Sequence, residues 1–343
     1  MNPEGPRRLR SGRTRVLRLP PFRYHRPESL DEARELLDRH GETAMVIAGG
    51  TDLVPNMKHR LFEPSHLVSI RGLPELMGVE ERDGWIHIGA LETLAALSAH
   101  PVVRLRVPSL AKAAGLVAGP QIRNSATLCG NVCLDTRCTY YNQTEFWRNA
   151  LGYCLKKDGS VCHVTRVGKK CVAAHSADTP PVLMVLGAEL ELSGPEGVRE
   201  VSVRDFFVAD GIRNTVRKPG EILTRVRIPI VPDARRTAYR KLRVRGAIDF
   251  PLLSIALGAT FGEDGTLEAM SGVVSGLGAR PRDLTGWAEL AVGNLLDEEL
   301  IEALADRAHA QCRPLENMIV DPDWRREMVR VEVGRALREL SRA

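Results

Sequence analysis

The chain has 343 residues, 43% of them apolar and 27% charged, with a formal charge of +5. That length allows two or three domains with a sizeable core, and the composition is that of an ordinary globular protein. No run of about 18 apolar residues occurs, so no membrane span is expected.

The charge is unevenly placed. Arg7, Arg8, Arg10, Arg13, Arg15 and Arg18 crowd the first eighteen residues against one acid, Glu4. No apolar stretch follows, so this is not a secretory signal. Residues 1–18 read as a basic, disordered tail; a nucleic-acid arm and an organelle address are the other readings. The remaining body is close to neutral, and neither nucleic acid nor membrane is expected as a partner. A cytoplasmic location is expected.

Ser29-Leu30-Asp31-Glu32 is a capping box, and Leu30, Ala33, Leu36 and Leu37 follow as one apolar helix face that Gly41 ends. Ala44–Ala48 reads as a strand running into Gly49-Gly50-Thr51-Asp52, and 67–70 and 85–89 as further strands. Leu91–Ser98 and Ser109–Val117 read as helices. Past the middle of the chain, Pro181–Leu186 reads as helix and Ala188–Leu192 as strand. Strands are predicted at Glu221–Ile228 and Tyr239–Val244. Leu253–Phe261 and Leu267–Val274 flank a Glu263-Asp264-Gly265 turn as a hairpin. Two amphipathic helices, near 298–311 and 322–341, finish the chain. Pro229 and Pro232 flank a composition shift that predicts a boundary near Pro229–Asp233.

The stretch from about 133 to 172 is different. It holds five of the sixteen aromatics (Tyr140, Tyr141, Phe146, Trp147 and Tyr153) and has no sustained period. Six of the seven cysteines lie between 129 and 171. With no export signal, a disulfide framework is not the first reading; a local metal site is. Cys138, Cys154, Cys162 and Cys171 stand 16, 8 and 9 residues apart, without a CxxC knuckle, which argues against a zinc finger. A cubane iron–sulfur cluster takes four thiolates from a wrapped loop. Residues 133–171 carry seven Lys/Arg against three Asp/Glu, a basic excess that would offset the negative charge of such a cluster. Structural zinc and buried free thiols remain the rival readings. Cys129 and Cys133 read as free, Cys312 as core, and His163 and His175 as loop histidines.

Two further motifs carry chemistry. In Ala48-Gly49-Gly50-Thr51-Asp52-Leu53 the glycines let the backbone approach a phosphate, and free amides can form an anion-binding nest. Gln121 to Asn131, QIRNSATLCGN, is a polar loop with hydroxyl and amide side chains. Together they suggest two loops clamping one polar ligand such as a dinucleotide; ordinary turns are the alternative.

These residues, with Met57-Lys58 after the first motif, resemble the flavin-binding subunits of the molybdenum hydroxylases, from about position 20 to the end. Ser176-Ala177-Asp178, Gly220-Glu221-Ile222-Leu223 and Lys241 with Asp249 fall where that family has further flavin contacts. The resemblance implies an α+β fold. A two-subdomain FAD-binding domain of the vanillyl-alcohol-oxidase-like (PCMH) type would span 19–230, and a C-terminal α+β domain of the CO dehydrogenase flavoprotein type 233–343. It implies FAD, with Ala48, Gly49, Gly50, Thr51, Asp52 and Leu53 as the pyrophosphate loop. Thr127, Gly130 and Asn131 would form a second phosphate loop, Asp178 would contact the adenosine half, and Leu223 and Lys241 would lie near the isoalloxazine. No catalytic residue is implied in this chain. The family usually has a glycine where Cys129 stands, so the backbone there must use a negative φ.

Asn131 and Ser176 are 45 residues apart, far more than in most members. This insertion at 133–172, with its four cysteines, resembles the 4-hydroxybenzoyl-CoA reductase branch, which implies a [4Fe–4S] cluster on Cys138, Cys154, Cys162 and Cys171. Reduced ferredoxin would then supply electrons. A [2Fe–2S] subunit and a molybdenum-cofactor subunit would be partners in a dimer of heterotrimers that converts 4-hydroxybenzoyl-CoA to benzoyl-CoA. The alternatives are a flavin subunit of an ordinary molybdenum hydroxylase, passing electrons to NAD or a quinone, and a zinc-binding structural module.

Overall fold

A computed structural model describes residues 17–166, 168–231 and 235–342. Almost all of the basic segment 1–18, and Pro232 and Asp233 of the expected boundary, lie outside the described residues.

Three short strands, β1 (Arg23–His25), β2 (Ala44–Ile47) and β3 (His66–Ser69), form a parallel sheet in the order β1-β3-β2. Parallel neighbours need crossovers. The first is α1 (Leu30–His40), the second passes through α2 (Leu53–Lys58). The capping box starts α1: the Ser29 hydroxyl accepts from the Glu32 amide at 3.2 Å. The Glu32 carboxylate reaches back to the amide of Glu28 at 2.7 Å, one residue earlier than the motif predicts. Ala33, Leu36 and Leu37 are buried, and Gly41 closes the helix at φ 49°.

Five strands make an antiparallel sheet in the order β4-β5-β8-β6-β7. They are β4 (Val79–Arg82), β5 (Trp85–Gly89), β6 (Glu189–Gly194), β7 (Gly197–Ser202) and β8 (Ile222–Pro229). Between β5 and β6 run α3 (Leu94–Ala99), α4 (Pro101–Arg106), α5 (Pro108–Gly115), α6 (Pro120–Arg123), α7 (Leu128–Val132), α8 (Glu145–Leu151) and α9 (Thr179–Val185). Helix α3 starts at Leu94 rather than at Leu91 because the Thr93 hydroxyl caps it, accepting from the Ala96 amide at 3.1 Å. The one-turn helix α10 (Val203–Phe206) follows β7.

The C-terminal sheet has the order β12-β11-β10-β9. Its strands are β9 (Arg235–Leu242), β10 (Leu253–Phe261), β11 (Leu267–Ser275) and β12 (Arg282–Asp283). Strand β9 begins four residues before the predicted Tyr239. Its early positions are polar, which hid them, yet Arg236 lays its guanidinium on the Phe261 ring at 4.4 Å and the backbone pairs with β10 from Arg235 on. After α11 (Ala288–Ala291), the long helices α12 (Glu298–Gln311) and α13 (Pro322–Arg342) cover one face of this sheet. Ile255, Leu257 and Ala259 pack there with Leu304, Ala308, Val333 and Leu337. Tyr239, Ala256 and Val273 of the same sheet point the other way, into the core around α5 and α9. The sheet thus has apolar side chains on both faces, and its central strand β10 reads as a near-continuous apolar run for that reason. No helix among the described residues is long and apolar enough to cross a membrane.

Candidate flavin cleft and cysteine cavity

The chain leaves β2 at Ile47 and turns through Ala48–Asp52 into α2. Gly50 sits at φ +69°, where a side chain would be strained. Gly49 has no room at all: a Cβ there would lie 1.9 Å from the carbonyl oxygen of Ser125. The two predicted loops therefore touch, backbone against backbone. The amides of Gly49, Gly50, Thr51, Asp52 and Leu53 donate to no acceptor among the described residues. A run of such amides is the donor set an anionic diphosphate takes.

The second loop is locked from within. Thr127 caps α7, its hydroxyl accepting from the Gly130 amide at 3.1 Å. The Asn131 side-chain oxygen accepts from the Thr179 amide at 3.1 Å and from the Thr179 hydroxyl at 2.7 Å, which ties the loop to α9. Cys129 lies in the first turn of α7 with no positive φ, so a side chain is tolerated where a glycine is usual.

Asp178, next to Thr179, is 2% exposed. Its carboxylate accepts from Tyr239 Oη at 2.6 Å and from Lys241 Nζ at 2.9 Å, and Lys241 also donates to the carbonyl of Leu116 at 3.1 Å. Burial pushes the Asp178 carboxyl up and the Lys241 ammonium down, and each opposes the shift of the other. Leu223 lies on β8, buried in the main core. The structure therefore brings the 48–53 loop, the 121–131 loop and Asp178 into one region, whereas the side chain of Leu223 points into hydrocarbon.

The four spaced cysteines line one small cavity, together with Tyr140, Tyr141, Lys156 and His163. Each is held by its backbone. Arg137 and Ala174 exchange main-chain hydrogen bonds beside Cys138, whose own amide donates to the side-chain oxygen of Asn142 at 3.0 Å. Cys154 heads a turn closed by the Lys157 and Gly159 amides on its carbonyl at 2.9 and 3.1 Å. The Gly211 amide donates to the carbonyl of Cys171 at 2.8 Å. No three of the cysteine sulfurs lie within 4.8 Å of one another among the described residues. Burial raises the Cys138 thiol to about 11 and pushes the Cys171 thiol up. Burial also opposes ionisation of Cys162, but the Thr165 hydroxyl and the amides of Thr165, Val164 and Val172 outweigh it and bring that thiol below its ordinary value. Hydrocarbon packing in the insertion is slight: Tyr141 and Cys154 cluster with Leu61, with Cys138 against them.

Comparison with known proteins places these features. Residues 20–231 match the family described as the FAD binding domain in molybdopterin dehydrogenase, and residues 237–340 match the CO dehydrogenase flavoprotein C-terminal domain. The chain belongs to the FAD-binding subunits of the molybdenum hydroxylase family. The carbon monoxide dehydrogenase medium chain of Afipia carboxidovorans is 31% identical over 92% of this chain and 95% of its own length. The aldehyde oxidoreductase FAD-binding subunit of Escherichia coli is 35% identical over 68% of this chain and 76% of its own. The solved carbon monoxide dehydrogenase of Hydrogenophaga pseudoflava aligns with a TM-score of 0.77 at 28% identity, covering 94% of this chain and 98% of that one. As a flavin subunit of this family, the chain is part of an oxidoreductase, with the α+β architecture that the resemblance implies.

Several residues of this flavin subunit escaped sequence reasoning. Arg137 pairs with Asp52 of the 48–53 loop and lies over the Phe250 ring at 4.4 Å, so the residue before Cys138 is anchored to that loop. Burial pushes the Asp52 carboxyl up, and Arg137 works against that shift. Lys156 is buried in the cavity wall, with Nζ 2.7 Å from Asp135 Oδ1 and 2.6 Å from the Thr136 hydroxyl. Gly211 lies 40 positions past Cys171, and a Cβ there would meet the Cys171 sulfur at 2.8 Å. None of these has a local sequence signal, because each acts across a long chain separation. Helix α8 did have one: Thr144 accepts from the Trp147 amide at 3.3 Å and Gly152 closes the helix in the left-handed region. His175 is not a loop histidine of the usual exposed kind. It is fully buried, bonded through Nδ1 to the Ser275 hydroxyl at 2.8 Å, and burial lowers it to about 3.

Proposed function

We propose that this chain carries FAD between the 48–53 and 121–131 loops and a [4Fe–4S] cluster in the cavity of Cys138, Cys154, Cys162 and Cys171, and passes electrons between partner subunits. The convergence of four thiols, spread over the insertion, on one cavity in a segment with little hydrocarbon core carries the cluster assignment. Their spacing supports a cluster over a single zinc ion. Four thiolates at a Zn–S distance of about 2.3 Å would stand about 3.8 Å apart, whereas no three of these sulfurs lie within 4.8 Å of one another. Hydrogen bonds from Val164, Thr165 and Val172 to Cys162 favour a thiolate, as cluster ligation needs.

FAD, when bound, exchanges one or two electrons and links one-electron carriers. The chain's own residues do the holding. The Gly49–Leu53 amides would bind the diphosphate, Thr127, Gly130 and Asn131 would shape the second wall, and Arg137 would keep the cleft and the cavity in register. Asp178 and Lys241 would act on the flavin as a preformed buried ion pair. Lys156 would offset negative charge at the cavity.

The finer reading is the flavin subunit of a 4-hydroxybenzoyl-CoA reductase, taking electrons from reduced ferredoxin towards [2Fe–2S] and molybdenum subunits. Its support is the resemblance of the cysteine insertion. The relatives named above are two carbon monoxide dehydrogenases and an aldehyde oxidoreductase, which supports the second reading, a hydroxylase flavin subunit delivering electrons outward to NAD or a quinone. Metal and flavin analysis of anaerobically purified protein tests the shared part: one FAD and about four irons per chain are expected, and zinc without a broad visible band would sink it. The assembled enzyme is then given a reduced low-potential donor and 4-hydroxybenzoyl-CoA. Benzoyl-CoA is the expected product; turnover only towards NAD or a quinone would leave the cofactors standing and remove the reductase.

A further inference from the structure

A second cluster of metal-competent side chains lies far from the cysteines. His25 ends β1, His66 begins β3 and His40 ends α1, and their nitrogens all lie within 4.8 Å of one another. His25 Nε2 is 2.9 Å from His66 Nδ1, and the rings of His40 and His66 stack with centroids 3.6 Å apart. Three imidazoles from three separate elements thus converge, each partly open to solvent.

We propose that His25, His40 and His66 form a binding site for a divalent transition-metal ion of the zinc, copper or nickel class. Neutral imidazole is the ligand these ions share. Zinc–nitrogen bonds of about 2.0–2.1 Å put tetrahedral nitrogens about 3.3 Å apart, close to the 2.9 Å of the His25–His66 pair; the His40 ring, stacked on His66, must turn for its in-plane lone pair to point at the same ion. With three protein ligands, one position stays open to water. The site is separate from the flavin cleft. In the parallel pair of β2 and β3, Ala44 faces His66 at one end and Ile47 faces Ser69 at the other, and the 48–53 loop leaves from the Ile47 end. At about 3.3 Å per residue the two ends are about 10 Å apart. The three ligands join the edge strand β1 to the strand and helix beside it. An ion there would clamp the first, three-residue strand to the sheet, and it would stabilise the fold by mass action. Arg23 and Arg39 lie close by and work against a cation, so tight buffering is not the expected behaviour.

Zinc titrated calorimetrically into the full-length, cofactor-loaded protein tests this. The wild type should take up one more equivalent than a His25→Ala/His40→Ala variant, and His40→Gln should weaken that equivalent by about tenfold or more. Added zinc should raise the melting temperature of the wild type and leave the double variant unmoved. Electron paramagnetic resonance of one added equivalent of Cu²⁺ on the wild type should show coordinated nitrogen from at least two imidazoles, a readout that needs no variant to fold. Equal zinc uptake in wild type and double variant, or copper without imidazole nitrogen, would overturn the site.

Discussion

The candidate flavin cleft and the cysteine insertion sit side by side, joined through Arg137, and they are built on opposite principles. The cleft is shaped by the main chain. Gly49 presses against Ser125, Thr127 caps α7, Asn131 holds Thr179, and behind them stands a large apolar core. The insertion has one short helix and a cluster around Leu61, Tyr141 and Cys154. Its order comes from carbonyls and buried charge: Arg148, 1% exposed, donates to the carbonyls of His59 and Gln143, and Lys156 gathers Asp135 and Thr136. A segment with so little apolar burial gains little against its chain entropy. On the cluster assignment proposed above, the contrast makes the group that the thiols would hold a folding element of the insertion as well.

The largest effect that would break this contrast comes from Cys154→Ser. All of the iron is expected to be lost and FAD to be retained, with amide exchange rising across 138–171 and staying slow in β5, β6 and β8. If exchange rose equally in both regions, they would be one folding unit. Next is Asp178→Asn, which leaves Lys241 buried without its counter-charge. A loss of about 3–5 kcal/mol is expected in denaturant unfolding. A fall in FAD affinity with unchanged stability would instead make Asp178 a flavin contact first.

Gly49→Val should drive the two loops apart. FAD affinity is expected to fall about 100-fold, a change of about 2.7 kcal/mol, while iron content stays constant. Loss of iron as well would mean that cleft and cavity are coupled through Asp52 and Arg137. The smallest effect is a pH slope. Burial holds His175 neutral, with its pKa lowered from 6.5 to about 3. Between those values the unfolded chain binds the extra proton, so stability rises with pH and is lost on acidification from about 6.5 downwards, by at most about 1.4 kcal/mol per pH unit. His175→Gln should flatten that slope in urea melts at pH 5 to 7.

Much of the chain could be read in advance where the signal is local. The Ser29 cap, the alternation and apolar runs of 85–89 and 253–261, and the periodicity of 298–311 all name elements found at those positions. The lack of a sustained period marked 133–172 as a segment apart, and little apolar packing is found there. Caps, turns and periodicity act over a few residues, so the sequence by itself determined where most helices and strands run and which segment stands apart. Only the tertiary structure decided which distant groups meet. Trp85 pairs with Pro229 across the insertion, Asp178 finds Lys241 and Tyr239, Gly211 makes room for the Cys171 sulfur, and three histidines from β1, α1 and β3 come together. Those meetings depend on the register of strands and the packing of cores, which no short window of sequence encodes.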